Sequence, residues 1–221
     1  MPSSGFFSEK LRNARAPKRE RRKEARPGEL VQAALDLFVE KGFAATRSEE
    51  VAARAGVSKG TLFLYFPSKE ELLKAVISEN LVGRFAQWNE QFESFEGSTP
   101  DMLRFCMRIW WESVGSTKVA GITKLMLSEG RNFPDLAAFY QKEFVEPAHE
   151  LLRKILRRGI DRGEFAPVDV NLAIYTVLAP MVFLMIWQYS ACVEDGFDPE
   201  KYLELQTETL LNGLVAKRGK S

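Results

Sequence analysis

Residues 46–69 read TRSEEVAARAGVSKGTLFLYFPSK, and their punctuation predicts two short helices hinged at Gly56. Thr46 can cap the first, with Glu49 three residues on reaching back to the freed backbone N–H, while Ser48 is a competing cap. Val51, Ala52 and Ala55 recur at helical spacing, a stripe of small residues that lets another helix pack close, and Glu49, Glu50, Ala53 and Arg54 face out. Gly56 stands where a left-handed residue ends a helix, and Val57 tucks back inward. Ser58 caps the second helix, Leu62 and Phe66 share its inner face at i, i+4, and Pro67 stops it. Ser68 and Glu71 form a capping box that opens a longer helix.

The outer face of the second helix carries Gly60, Thr61 and Leu64, flanked by Phe63 and Tyr65, and is so lean in charge that it needs a partner. A glycine inside a helix costs about 1 kcal/mol against alanine, so Gly60 fits a helix that comes close to another surface. Two short helices joined in this way place the second in the major groove of DNA. Lys69 falls in the first turn of the following helix, where it opposes the helix dipole but stands beside free N–H groups able to hold a phosphate.

These residues resemble the N-terminal domain of the TetR/AcrR family of bacterial transcriptional regulators, from about Arg26 to about Arg84. The resemblance rests on LVQAALDLFVEKGFAATRSEEVAARAGVSKGTLFLYFPSKEELLKAVI, residues 30–77, where AGVSKGTL, YF and SKEEL stand at the family's spacing. It implies a first helix from about Gly28 to Lys41, a helix-turn-helix from about Arg47 to Phe66, and a fourth helix from Ser68 that joins a helical ligand-binding domain. Position by position, it places Lys59, Gly60, Thr61 and Phe63 on bases or nearby phosphates, and Tyr65 and Lys69 on the DNA backbone. With Ser58 and Arg47 these make up the candidate DNA-binding set. Two positions depart from the pattern. Phe63 stands where tyrosine is common and has no hydroxyl for a phosphate, so contact with a thymine methyl suits it better. Arg47 replaces a frequent small hydroxyl residue and is either a further phosphate contact or a solvated charge.

The 221 residues carry a formal charge of only +1, but the charge is unevenly spread. Up to Glu70 there are fourteen Lys and Arg against nine Asp and Glu, a net of +5, which leaves −4 for the remainder. The basic end is the nucleic-acid end. Nine basic residues from Lys10 to Arg26 face only Glu20 and Glu24, a composition that reads either as a solvated, disordered arm or as an arm that follows DNA phosphates.

Cys106 and Cys192 are isolated in apolar helical settings, without a C-x-x-C or a nearby histidine, and read as small hydrophobes rather than a zinc or redox site. Met1 to Lys10 lacks the apolar core of a secretory signal. The longest apolar run, Val177 to Trp187, is short of the roughly 20 residues of a membrane helix. A soluble cytoplasmic protein with no membrane association is therefore expected.

Beyond residue 85 the signals stay helical, with coarse spans Asp101 to Val114, Lys118 to Glu129, Asp135 to Arg162, Asp169 to Val193 and Glu200 to Lys217, and kinks expected at Pro147 and Pro180. The Val168 to Cys192 segment is apolar all round and must be covered on every side. With the last helix it forms the expected dimer interface, through Phe183, Trp187, Leu203, Leu210 and Leu214; a central helix of a monomer is the alternative. Aromatic residues at helical spacing are usually core, yet Trp110, Phe144, Phe183 and Trp187 with Met107 and Met126 also suit a greasy ligand pocket. His149, the only histidine, reads as a hydrogen-bonding helix residue or a polar pocket contact. Glu112, Glu129, Glu143 and Glu146 read as solvated faces.

The expected fold is all-α: a basic flexible arm over residues 1–25, a three-helix DNA-binding domain with its helix-turn-helix over 26–84, and a helical-bundle ligand-binding and dimerisation domain over 85–221. The expected function is a homodimeric repressor that leaves a palindromic double-stranded DNA operator when a small hydrophobic effector binds. No cofactor, metal or enzymatic activity is expected, since no nucleophile, base and orienting group assemble. An activator of the same family is one alternative, and a helical ligand carrier or small enzyme is another.

Overall fold

The computed structural model describes residues 18–189 and 196–214, with side chains described from residue 27 onward. Cys192, the arm before residue 18 and the last helix beyond residue 214 lie outside the described residues. The chain is all-helical. Its first helix, α1 (Lys18–Lys41), starts ten residues before the expected Gly28 and carries Pro27 inside it. The basic segment over 18–25 is thus helical backbone rather than a flexible arm. Lys, Arg, Glu and Ala are strong helix formers, and in KRERRKEA that propensity prevails over the charge pattern that suggested disorder.

Helices α2 (Ser48–Arg54), α3 (Lys59–Tyr65) and α4 (Lys69–Asn80) follow. Gly56 adopts a φ of +67°, and the Val57 N–H reaches back to the carbonyl of Ala52 at 2.9 Å, closing α2 as expected of a left-handed glycine. The start of α2 differs from the expected one. Thr46 is buried and donates its hydroxyl to the carbonyls of Gly42 at 2.7 Å and Leu37 at 3.2 Å, so it closes α1 instead of opening α2. Arg47 takes the capping position, and its N–H donates to Glu50 Oε2 at 3.1 Å. Ser58 caps α3 and Ser68 caps α4, each accepting the N–H three residues on at 3.1 Å.

The core of this half is drawn from Leu30, Ala34 and Phe38 of α1, Val51 and Ala52 of α2, Leu62 of α3, and Leu72 and Val76 of α4, all buried. Each of the leucine, valine and phenylalanine side chains among them contributes about 1.5–3 kcal/mol. Leu62 is the single fully buried anchor of α3, so the remainder of that helix is held at the surface.

A 3₁₀ turn, Val82–Arg84, leads to α5 (Phe85–Glu93). The sequence reading gave α5 no span, although Phe85, Trp88 and Phe92 are buried at i, i+3, i+7. The second half continues with α6 (Thr99–Trp110), α7 (Ala120–Glu129), α8 (Pro134–Tyr140), α9 (Glu146–Asp161), α10 (Val170–Trp187) and α11 (Pro199–Leu214). Two π-helical segments interrupt it: Trp111–Gly115 extends α6, and Gln141–Val145 joins α8 to α9. Pro147 has no N–H to give the preceding turn and its ring crowds the carbonyl four residues back. The widened turn just before it accommodates both defects.

Helix α10 is long and apolar enough to pass for a short membrane span by length and composition, and one side of it packs on α7, α9 and α11. Ala173, Ile174, Val177 and Leu184 are buried there, whereas Leu172, Tyr175 and Ile186 remain exposed. Two of the three expected dimer residues of α11 are taken up inside the subunit. Leu203 and Leu214 are buried in their own subunit and Leu210 is half-buried, because that leucine face covers the intramolecular core. Trp187 joins Phe183, Phe197 and Tyr202 in an aromatic cluster with ring centroids 5.4–6.5 Å apart.

Candidate DNA interface and effector cavity

On α3, Ser58, Lys59, Gly60, Phe63 and Leu64 are exposed, and Thr61 and Tyr65 are half-buried. Leu64 is 79 % exposed, an unusual position for a leucine in a folded chain. A Cβ added at Gly60 would meet only Ser58 Oγ, at 3.8 Å. Nothing inside the subunit requires glycine there, and the open side is the outer face. The Thr61 hydroxyl lies 2.9 Å from Ser58 Oγ, which orients it along the same face. Lys59 pairs with Glu49 at 2.5 Å and stands 5.6 Å over the Phe63 ring. The hydrogen bond from Lys59 holds the Glu49 carboxyl below its ordinary range. Both partners are more than half exposed, so this ion pair is of the weak surface kind and can yield to a phosphate. Arg47 is exposed at the start of α2.

Lys69 behaves differently from its expected role as a phosphate holder. Its ammonium donates to the carbonyls of Phe43 at 2.7 Å, Thr46 at 3.0 Å and Ala44 at 3.4 Å, and it lies 4.4 Å over the Phe43 ring. All three ammonium protons are directed at the loop between α1 and α2. The cost of a cation at the start of α4 is offset by internal carbonyls rather than by an external anion.

The same loop is held from the other half of the chain. Glu129, at the end of α7, accepts the N–H of Phe43 at 2.8 Å on one carboxylate oxygen and that of Ala44 at 2.9 Å on the other. Gly42 has a φ of +85°, and a Cβ there would meet Glu129 Oε1 at 2.6 Å. Phe43 also packs edge-on against Phe133 at 4.7 Å, and Lys118 bonds Asp36 at 2.8 Å. Glu129 is therefore an interdomain clamp and not a solvated face. Its signal lay in tertiary contact, which helical spacing does not carry.

In the second half lies a cavity of about 900 Å³ between α5, α6, α7, α8, the π-helical segment Gln141–Val145, α9 and α10. Of the six expected pocket residues, Trp110, Met126, Phe144 and Phe183 line it, while Met107 and Trp187 do not. Cys106, Ile109 and Trp110 form the lining face of α6, and Met107, one residue out of phase, is buried in the core beside it. Trp187 is drawn into the aromatic cluster. Residues missed by the sequence reading include Phe85 and Trp88 of α5, the hydroxyl pair Thr123 and Tyr140 at 2.8 Å, and Tyr175, which meets His149 edge-on at 5.4 Å. Burial pushes the Cys106 thiol up to about 12 and also raises the Tyr140 phenol, so both remain protonated. Among the described residues no group of His, Cys, Asp and Glu is arranged to hold a metal ion.

A small helix-turn-helix half, joined through the Glu129 clamp, the Lys118–Asp36 pair and the Phe43–Phe133 contact to a larger helical half with an apolar cavity, defines a DNA-binding regulator whose second domain takes a ligand. The model of bacterial regulatory proteins of the tetR family matches residues 30–76, and that of the tetracyclin repressor-like C-terminal domain matches residues 96–196. The HTH-type transcriptional regulator RutR of Escherichia coli is 48% identical over 176 residues, covering 73% of this chain and 74% of its own. The chain belongs to the TetR family of bacterial transcriptional regulators, and is a ligand-responsive regulator rather than an enzyme. Among solved structures, the regulator FadR of Bacillus subtilis in complex with stearoyl-CoA superposes with a TM-score of 0.73 at 21% identity, over 84% of this chain and 98% of its own. The ketosteroid regulator KstR2 of Mycobacterium tuberculosis gives 0.68 at 21% identity, over 87% and 96%.

Proposed function

We propose that the chain acts as a homodimeric repressor in the bacterial cytoplasm, with residues 26–84 as its DNA-binding unit and residues 85–221 as its effector and dimerisation unit. Two α3 helices enter successive major grooves of a palindromic operator, roughly 34–36 Å apart or a multiple of that. Gly60 lets the backbone approach the base edges, Thr61 reads a base and Phe63 meets a thymine methyl. Lys59, released from Glu49, and Arg47 contact phosphates beside Ser58 and Tyr65, while Lys69 holds the loop that carries α2.

The observation that carries this reading is the exposed outer face of α3, with the apolar Leu64 in water and an uncrowded Gly60. The effector enters the cavity lined by Trp110, Met126, Phe144 and Phe183, and displaces α7 with its Glu129 clamp. The first half then tilts and the spacing of the two α3 helices changes. Such a switch needs a differential affinity of several kcal/mol between the two packings, which a cavity of about 900 Å³ is large enough to supply. Footprinting on the DNA flanking the protein's own coding region tests the reading. Protection of two half-sites one or two turns apart is expected, and no protection of any duplex at low salt removes it.

A further inference from the structure

Resting on the effector-site reading above, we propose that the effector is an uncharged, largely apolar ketone or alcohol whose oxygen meets the Thr123–Tyr140 hydroxyl pair, and that carboxylates and acyl-CoA anions are excluded. The cavity, at about 900 Å³, lies near the top of the range for small-molecule sites. Among the described residues lining it there is no Lys, Arg, Asp or Glu. A carboxylate moved into such surroundings loses its hydration and gains no counter-charge.

His149 is the one basic side chain at the lining. Burial, aided by the charge of Arg153 and opposed by Glu146, holds its pKa below the ordinary histidine range, so at neutral pH it offers a neutral imidazole. The polar recess beside His149 does not favour an anionic head group either. It shares His149 with the cavity and holds Lys142, Glu143, Glu146, Glu150 and Arg153. Lys142 is paired with Glu143 at 3.4 Å and Arg153 with Glu150. Glu146 adds a third carboxylate, leaving the recess net negative. On the far side, α10 contributes no charged residue at all.

Besides His149 and the exposed amide of Gln141, what the cavity offers is a buried hydroxyl donor. Thr123 and Tyr140 are both buried and their oxygens lie 2.8 Å apart. Two hydroxyls sharing one bond hold a second proton, and a neutral carbonyl or hydroxyl oxygen accepts it without loss of charge solvation.

The test is a titration of the full-length protein, followed by fluorescence of the cavity residues Trp88 and Trp110, with probes of matched length: 2-tetradecanone, myristate and myristoyl-CoA, and progesterone as a bulkier ketone. At least one of the two ketones is expected to bind at least roughly tenfold more tightly than myristate or myristoyl-CoA. Thr123→Val and Tyr140→Phe are each expected to weaken that ketone roughly tenfold, the value of one buried hydrogen bond, with tetradecane binding unchanged. Myristate or myristoyl-CoA binding as tightly as the ketones overturns the proposal and leaves the effector site standing. Failure of every probe to bind removes both. The charge comparison uses the unaltered chain, so it decides the question even if a cavity variant does not fold.

Discussion

Glu129 holds Phe43 across the two halves of the chain, its carboxylate accepting the Phe43 N–H at 2.8 Å while its second oxygen takes that of Ala44 at 2.9 Å. Met126, one turn earlier on α7, lines the cavity. A shift of this helix therefore reaches the α1–α2 loop directly. Hydrogen bonds to a charged acceptor are worth about 1.5–3 kcal/mol each. Glu129→Gln keeps one acceptor and turns an amide donor toward an N–H, so the clamp opens. The expected result is a loss of about 1–3 kcal/mol of coupling between effector and operator. Operator affinity measured by anisotropy with and without saturating effector reads it, and an unchanged ratio would show that coupling runs elsewhere.

Lys69 faces the same loop from the DNA-binding half, with its protons on three carbonyls. Lys69→Ala is expected to weaken operator binding by loosening the loop, with the dependence on salt unchanged. If Lys69 instead neutralised a phosphate, the slope of log K against log salt would fall by about 0.9. Binding isotherms from low to physiological salt separate the two, and the smaller slope would restore the phosphate role.

At Gly60 the interests of folding and of binding diverge. A methyl there meets nothing closer than 3.8 Å, and alanine is favoured over glycine inside a helix by about 0.5–1 kcal/mol. Gly60→Ala is therefore expected to raise stability to chemical denaturation while lowering specific operator affinity by at least about tenfold. An operator complex of undiminished affinity would dispose of close approach as the reason for this glycine.

The helix-turn-helix was legible because its signals are local. Gly56, Ser58 and Ser68 each fix a helix end through their own backbone or side chain, and Leu62 marks the inner face by periodicity alone. What escaped the sequence depends on contacts between distant residues. Thr46 closes α1 because Gly42 and Leu37 bring carbonyls to it, and Glu129 and Lys69 are engaged by a loop that no spacing rule connects to them. Leu203 and Leu214 form an apolar stripe, but periodicity shows only that a stripe is buried, and not whether its own subunit or another copy buries it. The cavity was half visible for the same reason. Aromatic composition pointed to Trp110 and Phe144, whereas the one-residue difference between Cys106 and Met107 that separates lining from core is set by helix packing.

The two leucines of α3 give a control on its orientation. Leu62 is fully buried and Leu64 is 79 % exposed. Leu62→Ala is expected to destabilise the fold by about 2–5 kcal/mol, whereas Leu64→Ala stays within about 0.5 kcal/mol. In operator binding under folded conditions the weight moves to Leu64. Denaturation curves paired with binding isotherms for both variants test the orientation, and equal destabilisation by the two would mean that α3 is rotated from the arrangement described.

Helix α10 presents Leu172 at 67 %, Tyr175 at 60 % and Ile186 at 43 % exposure, and α11 presents Leu205 at 69 %. Exposed apolar side chains of this size suit an interaction surface, and a second copy meeting the first along α10 would cover Leu172, Tyr175 and Ile186 by two-fold symmetry. The face also borders the cavity, since Tyr175 and Ile186 belong to its lining, so a dimer formed here would share side chains with the proposed effector site. Leu172 is outside that lining and can be changed without altering it. Leu172→Asp buries an unpaired carboxylate at the contact and is expected to shift the protein from a dimer to a monomer of 25.1 kDa. Binding to a palindromic operator then weakens, because each α3 must find its half-site alone, while the fold of the single subunit is unaffected. Light scattering across a concentration series measures the shift, and a dimer of undiminished affinity would place the interface on another face of the molecule.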